Sequence, residues 1–273
     1  MASAAASYST IMRPTSSMIV SGEAQLLVAH PGHELLLHGW IDQSKPIVQV
    51  LTDGSGHSAV GRLEMTTEFL RAVGALPGAI FGRLSDREAY AMILECNTTL
   101  LLCLVMDLAT EIEKQSPKII VTDAAEGYNP VHDLCRMIAG AAIQLATVET
   151  KQYEYAVVNS PNSFDAMTSE GFVVELDDAA HARKIDRARH EATRLADIDE
   201  LLSRHGVEAY RRERFRRVVD WTSIDLEPPP LYERFGEQRV AAHRYSRVIR
   251  RDEHMVPLRD ALRAAVEKRS CAF

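Results

Sequence analysis

The sequence predicts an α/β protein with a doubly wound, mainly parallel sheet and an Arg-rich, mostly helical C-terminal extension. Three observations predict it. Short apolar runs (AQLLVAH, PIVQVLTD, SPKIIVTD) each stop at polar or turn residues, as buried strands do. Helical patterns separate these runs, and strands alternating with helices imply crossover connections and a parallel sheet. From about Asp178 the composition shifts to Arg and Glu in helical patterns.

In chain order, residues 1–22 are rich in Ala and Ser, hold no acid before Glu23, and read as a disordered leader rather than a transit segment. Residues 23–273 read as one domain, with the core sheet and helices over 23–175 and the helical extension over 176–273. The first strand ends at His30. HELLLHGWID follows as a helix, with Pro31 at the first helical position, where its missing N–H costs nothing. PIVQVLTD is the second strand and TDGSG its turn. RLEMTTEFLRAVGA is a helix that passes into a loop, and Arg87 to Gln115 forms a long helical stretch. The next strand ends near Asp123, and the loop EGYNP leads into the helix VHDLCRMI. EPPPLYERFGE interrupts the helices of the extension, and no internal repeat is present.

With 273 residues, 46% of them hydrophobic, the chain is long enough to bury a large core. Its net charge of −7 is unevenly spread: residues 1–180 carry −12 and residues 181–273 carry +5. That excludes a nucleic-acid footprint over the main body, while the basic tail suits an anionic substrate group or pairing with acids of the first part. The four cysteines show neither CxxC spacing nor a disulfide framework, which suits a reducing compartment, and cytoplasm is expected. No apolar run reaches the ~20 residues a bilayer span needs, so no membrane partner is expected.

The chemistry gathers at strand ends, where open parallel sheets bind ligands. His30 and His33 flank a strand-to-helix junction, and His132 lies just after a proline at another. The three histidines can form a metal face with open positions for water and substrate. Zinc is the expected ion, and three imidazoles also suit Fe2+ or copper. His38, His57 and Cys135 are nearby in sequence and read as surface or core residues.

AHPGHE after the first strand, LTDGS after the second and EGYNPVHD after a later one resemble the LmbE/PIG-L family of metal-dependent deacetylases, whose usual motifs read AHPDDE and HPDH. The resemblance covers roughly residues 24–145. It implies a Rossmann-like sheet, zinc, and N-acetylated amino sugars as substrates. Carried over by position, it places metal ligands on His30, His33 and His132. It also shows losses: the general-base aspartate falls on Gly32, the oxyanion-steadying histidine on Asn129, and the adjacent aspartate on Val131. A neutral His33 in place of a carboxylate ligand leaves more of the metal's charge to acidify water. Asn129 is then the oxyanion donor, Glu34 or Asp53 the proton shuttle, and Glu126 and Tyr128 substrate contacts.

The expected function is hydrolysis of an N-acyl amide on an amino sugar or a related small or anionic metabolite, by a chain compatible with homo-oligomerisation. Two alternatives stand beside it. One is redox or oxygen-dependent chemistry at the same three histidines. The other is a nucleotide-binding oxidoreductase using Gly54, Gly56 and Ala59 of TDGSGHSA as a dinucleotide turn. The tail 228–257 is a candidate substrate-binding lid.

Overall fold

The apolar run Ala24–Val28 forms β1, and all five residues are buried because the strand lies inside the sheet. The structure, a computed structural model, describes residues 22–56, 60–164, 170–192, 196–223 and 228–270. The expected leader therefore lies outside the described residues except for Gly22. β2 (Ile47–Thr52), β3 (Leu76–Leu84), β4 (Ile119–Asp123), β5 (Lys151–Tyr155), β6 (Gly171–Glu175) and β7 (Arg212–Arg217) complete a seven-stranded sheet in the order β3-β2-β1-β4-β5-β7-β6. The first five positions are parallel, while β7 runs antiparallel to both β5 and β6.

The winding makes the site. From β1 the chain moves outward through β2 to β3, then returns to the other side of β1 to lay down β4 and β5. The boundary between β1 and β4 is the switch point, where the carboxyl ends diverge and a crevice opens.

A 3-10 helix (His33–Leu37) leads into α1 (His38–Ser44), followed by α2 (Leu63–Val73), α3 (Asp86–Leu94), α4 (Thr98–Gln115) and α5 (Pro130–Leu145). The extension supplies α6 (Asp178–Ala192), α7 (Ala196–His205), α8 (Leu231–Ala241) and α9 (Val256–Ser270). Two apolar cores result. One gathers Trp40, Phe69 and Ile185, and the other Leu104, Ile138 and Leu262. Among the described residues no helix is long and apolar enough to cross a membrane.

Four details depart from the sequence expectation. The loop expected after α2 contains β3, whose Pro77 is tolerated because β3 is an edge strand. Its irregular register is met by Gln49, whose Oε1 accepts from Ile80 N at 2.8 Å; a Cβ at Gly78 would lie 2.1 Å from the Gln49 side chain. The stretch Arg87–Gln115 is two helices, because Cys96 takes a positive φ of 45° and Asn97 caps a new helix by accepting from Leu100 N. Pro31 does not open the first helix; Gly32 is its N-cap, at φ 107°. Finally, β7 lies within the extension. Its buried Glu213 and Phe215 alternate with more exposed arginines, and Phe215 stacks on Phe172 of β6 at 4.3 Å.

Candidate metal centre

β1 delivers His30 to the crevice, and Gly32 turns the chain so sharply that His33 returns to the same point. The His33 amide donates to His30 O at 3.4 Å across this turn. His132 arrives from the opposite side, in the first turn of α5, where Pro130 opens the helix and Asn129 Oδ1 accepts from Val131 N. The three imidazoles meet: ring centroids are 5.4 Å apart for His30–His33, 5.3 Å for His30–His132 and 4.6 Å for His33–His132.

Two of the rings are anchored from behind. His30 Nδ1 lies 2.8 Å from Thr52 Oγ1 and 3.0 Å from Asp86 Oδ1. The Thr52 hydroxyl donates to Ala29 O, so the network assigns the proton to His30 Nδ1 and leaves Nε2 with its lone pair. His33 Nδ1 is bonded to Asp123 Oδ2 at 2.8 Å. Asp123 is fully buried and also accepts from Ala29 N and the Tyr155 hydroxyl, each at 2.9 Å. Carboxylates on the rear nitrogen are how metal-binding histidines are usually oriented.

The electrostatics agree with this division of roles. Burial works to raise both carboxyls, but His33, His132 and the Ala29 amide hold Asp123 down to about 2. His30, Thr52 and the Gly56 amide likewise hold Asp86 far below the usual carboxylate range. Burial pushes His132 well below the usual imidazole value, which keeps it neutral, and its buried Nδ1 has no hydrogen-bond partner among the described residues. An unpartnered, buried, neutral imidazole nitrogen beside two anchored rings is a donor set that suits a divalent transition metal. Asp123 also has an oxygen within 4.8 Å of ligand atoms of His33 and His132. Its oxygens already accept three hydrogen bonds, so it fits the role of orienting carboxylate better than that of ligand.

A cavity of about 1070 Å³ opens from the histidines. Asn129 and Tyr128 line it, and Asn129 Nδ2 lies 3.3 Å from His30 Nε2. Tyr128 packs edge-on against Phe235 of α8 at 5.5 Å, and residues 242, 244–247 and 249 continue this wall. The tail segment expected as a lid thus contributes to the cavity.

Three expected residues are placed elsewhere. Glu34 is fully buried, its oxygens taken by Gly32 N and the Thr66 hydroxyl, and burial raises its carboxyl. Asp53 Oδ1 accepts from Ser55 N and shapes the turn after β2. Glu126 accepts from the amides of Val157, Val158 and Asn159 and ties that segment down. None of the three lines the cavity. Nor does the Gly54–Gly56 turn cradle a phosphate: the Ser55 and Gly56 amides donate to Asp53 and Asp86, and α2 begins only at Leu63. Ala59 and His57 lie outside the described residues. Cys135 is a buried core residue, and His38 packs on Phe69 at 5.3 Å.

Asp86, Asp123, Thr52 and Tyr155 are the participants that sequence reasoning missed. Asp86 sits just beyond the carboxyl end of β3, so its place at the site becomes legible only once that edge strand is recognised.

No family model matches the chain, and no curated protein shows significant sequence similarity. Among solved structures, the fold is similar to the A40926 pseudoaglycone deacetylase Dbv21, with a TM-score of 0.56 and 16% identity, covering 75% of this chain and 100% of that one. Weaker likenesses are to the zinc-inhibited form of teicoplanin deacetylase Orf2 (TM-score 0.45, 13% identity, covering 72% and 99%) and the conserved protein TT1542 from Thermus thermophilus (0.43, 14%, 76% and 95%). The Dbv21 likeness shows a shared mixed α/β fold.

Proposed function

We propose that this chain is a metal-dependent hydrolase that removes an N-acyl or N-acetyl group from an amino sugar or related small metabolite. The observation that carries the reading is the convergence of His30, His33 and His132 at the end of one large cavity, two of them with a carboxylate on the rear nitrogen. Dbv21, which has a similar fold, is named as a deacetylase, in agreement with it. His30, His33 and His132 are the proposed ligands, zinc the proposed ion and Fe2+ the second choice.

Bound there, a divalent metal supplies Lewis-acid polarisation of the amide carbonyl and, held by three neutral donors, acidifies the attacking water. The protein's own groups do the rest. Asp86 and Asp123 keep the proton on Nδ1 of His30 and His33, so that both rings present a lone pair on Nε2. Asn129 Nδ2 donates toward the oxyanion as the carbonyl becomes tetrahedral. Among the described residues, the only carboxylates lining the cavity are Asp86 and Glu200, and Asp86 is committed to His30. Chemistry at this centre therefore relies on acidified water rather than on a strong carboxylate base.

The test is elemental analysis by plasma mass spectrometry on protein purified without a chelating tag, with acetate release measured on N-acetylated amino sugars. Near-stoichiometric zinc, with both metal and turnover lost in His30→Ala/His33→Ala, is the expected result. Absence of metal after reconstitution overturns the reading, and iron or copper without acetate release moves it to redox chemistry.

A further inference from the structure

Away from the histidines, the cavity wall is cationic. It includes Arg87 on α3, Arg204 on α7, Arg239 on α8, and Arg244 and Arg247 in the segment that follows. The acids on the same wall are already engaged: Asp86 with His30 and Gly56, Glu200 with Arg204. Arg247 donates to Leu94 O at 3.1 Å. The side chains of Arg87, Arg239 and Arg244 have neither an ion pair nor a hydrogen bond among the described residues.

The backbone groups two of them. The amides of Arg244 and Tyr245 both donate to Arg239 O, at 2.8 and 3.3 Å, so the turn after α8 folds Arg244 back beside Arg239. Like charges brought together repel, and in a chain of net charge −7 carboxylates are not scarce. Three exposed arginines on one cavity wall, without carboxylate partners among the described residues, make a surface suited to an anion. The guanidinium fork matches phosphate oxygens in pairs, and several such groups suit a dianion better than a single carboxylate. Their exposure also adds electrostatic steering.

We infer that this wall is a phosphate subsite, and that the natural substrate is an N-acylated amino sugar carrying a phosphate ester, held by Arg87, Arg239 and Arg244 while its amide reaches the histidines. This deepens the hydrolase reading and rests on it for the nature of the rest of the substrate.

The test has two arms on the full chain. In the first, calorimetry follows pyrophosphate binding to the wild type, to Arg239→Ala/Arg244→Ala and Arg87→Ala, and to Arg263→Ala on α9 as a control remote from the cavity. Binding that weakens with added salt and falls about tenfold or more in the cavity variants, but not in the control, is expected. Equal binding in all four proteins, or equal loss in the control, overturns the subsite. In the second arm, acetate release is compared for N-acetylglucosamine and its 1-phosphate. The wild type should favour the phosphorylated sugar about tenfold, chiefly through KM, and the cavity variants should erase that ratio. An unchanged ratio overturns the inference. If pyrophosphate binds through the arginines but neither sugar is hydrolysed, the subsite stands and the hydrolase reading falls. Hydrolysis without arginine-dependent binding gives the reverse.

Discussion

One backbone angle decides whether His33 faces His30. Gly32 sits at φ 107°, where a side chain is strained by roughly 1–3 kcal/mol. Gly32→Ala should lower unfolding free energy by about that amount in denaturant titrations and weaken metal binding by displacing His33. A loss of neither would show that the turn relaxes without consequence. Asp86 acts through His30, so Asp86→Ala should reduce metal affinity about 10- to 100-fold, read by competition with a chromogenic chelator. The three histidines were legible in the sequence because each stands within a few residues of a strand end or helix start, which local pattern reveals. Their anchors were not, because the bonds from Asp86 to His30 and from Asp123 to His33 span 56 and 90 residues. Glu34 and Asp53 misled for the complementary reason: a carboxylate near a motif can be spent on backbone amides or a hydroxyl, and only packing shows it.

At the scale of elements, β1, β2 and β4 were readable because strands buried on both faces are continuous apolar runs. β3 was hidden by Pro77, Gly78 and Gly82, and β7 by arginines that mask the alternation of Glu213 and Phe215. β7 nonetheless supports α1, the helix that follows His33 in the chain. The N-cap of α1 offers no side-chain hydrogen bond, and Glu213 substitutes for it, accepting from Gly39 N at 2.9 Å and Trp40 N at 2.6 Å. Lys184 of α6 completes the buried pair at 2.8 Å from Glu213 and also donates to the Leu36 and Tyr210 carbonyls. Glu213→Ala leaves Lys184 buried and uncompensated and should cost about 3–5 kcal/mol in equilibrium unfolding. Glu126 provides the pH test. Burial, outweighing three amide donors, raises its folded-state pKa above 4.5. Its contribution is therefore fully present below 4.5 and is lost as pH rises through the folded value. Glu126→Gln cannot ionise, so wild-type stability relative to that variant should decline as pH climbs above 4.5, followed by thermal melts. A pH-independent difference would refute the assignment.

For the molecule as a whole, the centre ties together both sides of the switch point, His30 and His33 after β1 and His132 after β4. Metal bound only by the folded chain must therefore stabilise it: at about 100 times its Kd, zinc should add roughly 2.7 kcal/mol to the unfolding free energy. His132→Ala should lose that increment, and an increment that persists would remove His132 from the ligand set. The long-range cap on α1 has a consequence in time. The amides of Gly39 and Trp40 are made 174 and 173 residues ahead of the carboxylate that receives them. At roughly 5–20 residues per second, a ribosome delivers that carboxylate about 9–35 s later. Throughout that interval the nascent chain already holds His30 and His33 but lacks the cap on the helix that follows them, so α1 gains its N-terminal partner only once β7 has been made.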